Sequence, residues 1–169
     1  AGCDIDVTGQ NAATITVDGL ITSNGGAGTG AAGGDAGDIT FETDNQAITL
    51  ESTTITAAGG LGTAQGVGGD IAFNDPVSLI VGASVITTGA TDGDIDFNST
   101  VNGTQDLTLT SGVGDITFVG AVGATDELGD VLINAADDVA VQNNFNSTSF
   151  AQAVAGTGTF SLGVIADAD

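Results

Sequence analysis

The chain of 169 residues contains no lysine, arginine, histidine, tryptophan, tyrosine or methionine. Every charged side chain is acidic, and the formal net charge is −22 at pH 7. No basic side chain is available to neutralise phosphate, so nucleic acid and anionic membrane surfaces are excluded as electrostatic partners. A serine or cysteine nucleophile would lack a histidine or lysine base, which leaves carboxylates as the only general acids and bases. One cysteine, Cys3, cannot make an internal disulfide framework. No apolar run is long enough to span a membrane. No signal peptide is visible and the first residue is not methionine, so the sequence reads as a processed product or a fragment.

Acidity of this degree often accompanies disorder. Here apolar residues make up 41% of the chain and alternate with polar ones, which is the pattern of strands rather than of a disordered segment. Gly, Thr, Asp and Val dominate over good helix formers, so the fold class is all-β.

A five-residue phrase recurs as Gly37-Asp38-Ile39-Thr40-Phe41, Gly69-Asp70-Ile71-Ala72-Phe73, Gly93-Asp94-Ile95-Asp96-Phe97 and Gly114-Asp115-Ile116-Thr117-Phe118. Weaker copies begin at Cys3 and Gly129. Ile and Phe, two apart, share one face of a strand. Stacked copies would therefore form one buried column of Phe41, Phe73, Phe97 and Phe118. Second segments follow at Ala47–Leu50, Val77–Val81 and Asp106–Leu109, and third segments carry Ile-Thr at 21–22, 55–56 and 86–87. The expected fold is a right-handed parallel β-helix, a β-solenoid of about six to eight coils, with a β-sandwich as the alternative. Residues 1–169 read as one domain, with an atypical terminal or capping segment at 134–169. The glycine-rich stretches at Gly25–Gly34 and Ala57–Gly69 read as insertions projecting from one corner, open to proteolysis. They lack the following helix and the lysine of a phosphate-binding loop. Pro76 sits between two strands, where its missing N–H is tolerated.

The phrase Gly-Asp-Ile-x-Phe followed by Val or Ala and then Leu-Thr-Leu, clearest from Gly93 to Val119, resembles the repeats of filamentous-haemagglutinin-like adhesins and related secreted bacterial surface proteins. The likeness extends loosely from Gly37 to Val141. It implies a right-handed β-helix, secretion, and a role in adhesion or surface structure, with an extracellular or cell-surface location. The chain has no counterpart of the family's N-terminal secretion domain.

Stacked copies of the phrase would place Asp38, Asp70, Asp94 and Asp115 about 4.8 Å apart. Their repulsion must be relieved by solvent ions, by turn hydrogen bonds or by a bound cation. Asp92, Asp94 and Asp96 offer an Asp-x-Asp-x-Asp oxygen set suited to Ca²⁺, against the plainer reading that each aspartate caps its turn. Asn98, Asn102 and Asn146 head Asn-x-Ser/Thr sequons. Thr-x-Thr at 14/16, 54/56 and 108/110 raises an ice-binding surface, and carboxylate pairs raise a glycosidase. Cys3 reads as a substitute for glycine in the first copy, with an intermolecular disulfide or lipid attachment as alternatives. The leading expectation is a non-enzymatic, self-assembling subunit of an extracellular filament or sheath, or a segment of an adhesin stalk. Copies of the chain would meet head to tail, the Cys3–Val17 region against Asn143–Asp169. An ice- or glycan-binding module, with host or cell-surface glycans as partners, is the second class.

Overall fold

Alternation of inward apolar and outward polar residues requires each strand to find cover on one face, and its backbone N–H and C=O groups require neighbouring strands. A computed structural model of the chain shows how this is met. It describes residues 1–11, 13–153 and 160–164. β1 (Ile5–Thr8) is followed by β2 (Ile15–Thr22), and β3 (Ile39–Glu42) by β4 (Ile48–Thr56). β5 (Ile71–Phe73) precedes β6 (Val77–Val81) and β7 (Ser84–Thr87), and β8 (Ile95–Phe97) precedes β9 (Val101–Gly103) and β10 (Leu107–Thr110). β11 (Ile116–Phe118) leads to β12 (Leu128–Ala135), β13 (Val139–Asn144) to β14 (Ser147–Gln152), and β15 (Phe160–Val164) comes last among the described strands.

These strands form a seven-stranded sheet, ordered β1-β3-β5-β8-β11-β13-β15, and an eight-stranded sheet, ordered β14-β12-β10-β7-β4-β6-β9 with β2 also on β4. Every strand pairing among the described residues is parallel.

This architecture corrects the expected right-handed β-helix of six to eight coils: the chain builds two parallel sheets. The sequence reading cut the second and third segments of each repeat into separate strands of a uniform coil. In the structure both kinds of segment belong to one sheet, and β2 and β4 run through the corner between them. Gly19 (φ 99°) and Ser52 (φ 48°) turn the backbone there, beside the register shifts of β2 on β4 and of β4 on β6. The β-sandwich alternative, an antiparallel architecture, fails because no pairing among the described residues is antiparallel.

One apolar core lies between the sheets. Ile39, Ile71, Ile95 and Ile116 pair in register, as do Phe41, Phe73, Phe97 and Phe118, and all eight are buried. The four phenyl rings stack nearly parallel, with centroids 4.9, 5.0 and 5.0 Å apart. That is the strand spacing transmitted to the side chains. Phe145 and Phe150 end the column edge-on. Of residues 134–169, the expected atypical or capping segment, the described ones supply β13 and β14 in the two sheets and β15 on β13, while 154–159 and 165–169 lie outside the described residues.

The glycine-rich stretches do not project as loose loops. Residues 24–37 and 57–69 have no regular strand, yet they bond to each other along their length. Gly25, Gly28, Gly33 and Ala36 donate their N–H groups to the carbonyls of Ala58, Leu61, Ala64 and Val67 at 2.7–2.9 Å. Gly60 donates to Gly34, and Gly66 to Gly60. A Cβ added at Gly25, Gly33 or Gly59 would lie 1.8 Å from a backbone oxygen. Glycine here permits backbone to pack directly on backbone.

Candidate functional site

The only reactive groups in quantity are carboxylates, so the site question is where they sit and what they hold. In the seven-stranded sheet an aspartate precedes each of the first six strands. Its backbone and side chain are both used. The N–H of Ile5, Ile39, Ile71, Ile95 and Ile116 donates to the carbonyl of Asp38, Asp70, Asp94, Asp115 and Asp138 respectively. The side chains bond in the opposite sense. Asp38 N–H donates to Asp4 Oδ1 at 3.2 Å, Asp70 to Asp38 at 2.9 Å, and Asp94 to Asp70 at 2.9 Å. Asp115 N–H donates to Asp94 Oδ1 at 2.8 Å, and Asp138 to Asp115 at 3.0 Å. A ladder of carboxylates thus joins six successive tiers. Each tier is held to the next by a charge-assisted bond to a peptide N–H.

The glycine of the repeated phrase belongs to the same device. A Cβ at Gly37, Gly69 or Gly114 would lie 2.2–2.4 Å from the backbone of the tier before. Removing the side chain lets the aspartate approach its neighbour.

Other corners use the same bond. Asp106 Oδ1 accepts from Asp130 N–H at 2.8 Å, Asp35 Oδ1 from Val67 N–H at 2.9 Å, and Asp75 Oδ2 from Thr43 N–H at 2.6 Å. Asn24 and Asn102 do likewise for Ala58 and Thr125.

The proposed Ca²⁺ ligands are placed as follows. Asp92 is exposed, while Asp94 and Asp96 are half-buried on either side of the inward-facing Ile95. Among the described residues no three His, Cys, Asp or Glu side chains are grouped to hold a metal ion, this trio included. Burial, the largest cause, pushes the Asp94 carboxyl above the usual aspartate range, and repulsion from Asp70, Asp115 and Asp92 adds to it. The bond from Asp115 acts the other way. Asp96 is raised by burial first and then by Asp94, with Asp70 and Asp115 adding and a bond from Thr117 opposing.

Two substitutions separate the hydrogen bond from the charge. Asp94→Ala removes the acceptor of a partly buried N–H and should cost about 1 kcal/mol. Asp94→Asn keeps an Oδ1 acceptor and removes the repulsion, so it should raise the melting temperature at pH 7. A folded-state pKa above the unfolded one means that the folded chain binds the proton more tightly. Its stabilising contribution is complete below the unfolded value, about 3.9, and is lost as pH rises through the raised folded value. The gain from Asp94→Asn or Asp96→Asn should therefore shrink as pH falls through the raised folded value and be gone below about 3.9. Thermal melts at pH 7 and pH 3.5 test this. Equal destabilisation by Asn and Ala would show that the side-chain bond is not what matters.

The remaining candidates are dispersed or engaged. Asn98 Nδ2 donates to Asn74 Oδ1, and Asn146 Nδ2 donates to the Gly123 carbonyl. Thr22, Thr56, Thr87 and Thr110 fall in one column by register. The neighbouring column holds Leu20, Thr54, Val85, Thr108 and Leu132, so Thr-x-Thr does not repeat across it. Cys3 is free and exposed. It stands one place before Asp4, where later copies carry glycine.

Sequence reasoning missed the carboxylate ladder in this form. The signal was present, since the same Gly-Asp precedes each strand, but the reading weighed caps within a turn rather than bonds between tiers. Comparison with protein-family models, with curated proteins and with solved structures returned no match.

Proposed function

We propose that the chain is a structural, non-enzymatic part of an extracellular assembly: a self-assembling subunit of a filament or sheath, or a segment of an adhesin stalk. One observation carries the reading. Carboxylates are the only groups of catalytic potential present in number, and five of them, Asp4, Asp38, Asp70, Asp94 and Asp115, each accept a backbone N–H from the next tier. These five serve cohesion along the stacking direction.

Other features support it. The aromatic column, the glycine contacts and the carboxylate ladder all run along the same axis, so the fold gains by adding tiers. The resemblance to adhesin repeats favours a secreted, surface-exposed setting. Dense like charge on the flanks opposes lateral clumping, which favours length over bundling.

Electron microscopy of the purified chain at raised salt tests the proposal. Thin filaments that lengthen with protein concentration are expected. Isolated particles at high concentration and high salt would remove the self-assembling reading.

A further inference from the structure

The outermost strands of the seven-stranded sheet define how one copy would meet the next. Among the described residues β1 pairs only with β3, and β15 only with β13. The first tier is incompletely covered. Ile5, Val7, Ile15 and Ile21 are half-buried, whereas their register partners Ile39, Phe41, Ile48 and Ile55 are fully buried. Hydrogen-bond polarity is constant through the sheet. The first N–H of each strand points onward to the carbonyl of the aspartate before the next strand, in five successive steps. By that alternation the Asp4 carbonyl faces outward at one edge, and the Phe160 N–H faces outward at the other.

We propose that β15 of one copy pairs in parallel with β1 of a second copy, with Phe160 opposite Ile5, Ser161 opposite Asp6 and Leu162 opposite Val7. This rests on the self-assembling reading above and specifies its interface. The contact continues the one that the chain already makes six times within itself. It extends the register in which Ile5 pairs with Ile39, and Val139 with Phe160. Charge permits it: the β15 sequence Phe-Ser-Leu-Gly-Val carries no carboxylate, so Asp6 meets a serine rather than another acid. Cys3 occupies the position that glycine fills in later tiers. Asp137 occupies it too, and donates its N–H to the Gly114 carbonyl, so a side chain there is compatible with stacking.

Register-specific cross-linking tests the proposal in the full-length chain. In a Cys3→Gly background, Asp6→Cys with Ser161→Cys forms the expected pair. The two positions lie six strand spacings apart within one chain, about 29 Å, far beyond disulfide reach, so any disulfide joins two copies. Thr40→Cys with Ala72→Cys, register partners inside one chain, calibrates the oxidation. Thr8→Cys with Ser161→Cys is the two-residue shift. The expected result, at salt that permits assembly, is a covalent ladder of oligomers from Asp6/Ser161 at least tenfold stronger than from Thr8/Ser161. Assembly with the shifted pair cross-linking best, or with neither pair linking while Thr40/Ala72 does, would overturn this interface and leave self-assembly standing. Absence of assembly by light scattering would overturn both.

Discussion

Phe97→Ala should lower the unfolding free energy by about 3–5 kcal/mol, the range for emptying a fully packed aromatic site. Phe97 is the right place to look. It is 1% exposed and lies between Phe73 and Phe118, with both centroids 5.0 Å away. Truncation removes the buried surface of one ring and a stacked partner from two more. The cavity cannot collapse easily, because strand spacing holds the rings above and below in place. Phe97→Leu, which refills much of the volume, should lose clearly less. Val119→Ala, at an exposed site just past β11, should stay within about 0.5 kcal/mol of the parent. Urea denaturation reads all three. A loss below about 1 kcal/mol for Phe97→Ala would mean that the column is not the core of the molecule.

The second large effect is expected where no side chain exists. Gly33→Ala places a Cβ 1.8 Å from the carbonyl oxygen of Gly60, and the backbone must move. Moving it strains the Gly33–Ala64 and Gly60–Gly34 hydrogen bonds, both 2.8 Å. Overpacking and the lost bonds together should cost about 3 kcal/mol or more. Gly26→Ala is the matched control: nothing lies within 4 Å of its added Cβ, and its backbone is not in the left-handed region. It should be nearly neutral. Similar losses at both positions would show that the glycines serve chain flexibility rather than close packing. Limited digestion with a broad protease adds a second reading. The parent's 24–37 and 57–69 segments should be cut no faster than other turns, while Gly33→Ala should open them.

The difference between these two regions marks what could be read from the sequence. The aromatic column was legible because Ile and Phe at a spacing of two state both the strand and its buried face. Four copies then state the stacking. The glycine-rich segments carry no such period. With no side chains to alternate, their order comes from backbone hydrogen bonds and close approach, which composition does not reveal. Composition alone therefore makes them projecting loops, and the structure makes them packed backbone. The aspartates fell between the two cases. Their recurrence before each strand was plain, and hydrogen bonding was among the means of relieving their repulsion. That each Oδ1 reaches the next tier's N–H depends on the exact register of neighbouring strands. All-β content was legible, but the right-handed β-helix expectation failed for a related reason. Short segments separated by glycine look like strands of a uniform coil. β2 and β4 instead carry their pairing around a corner, so second and third segments join one sheet. Which carboxylates are partly buried, such as Asp94 and Asp96 rather than Asp38 or Asp70, also follows only from packing.

In the proposed assembly, cohesion runs along the stacking direction and continues from one copy to the next. Fibre diffraction from aligned filaments tests it most directly. Strands lying across the filament axis predict a meridional reflection at about 4.8 Å. The same spacing on the equator, with strands running along the filament, would contradict the account.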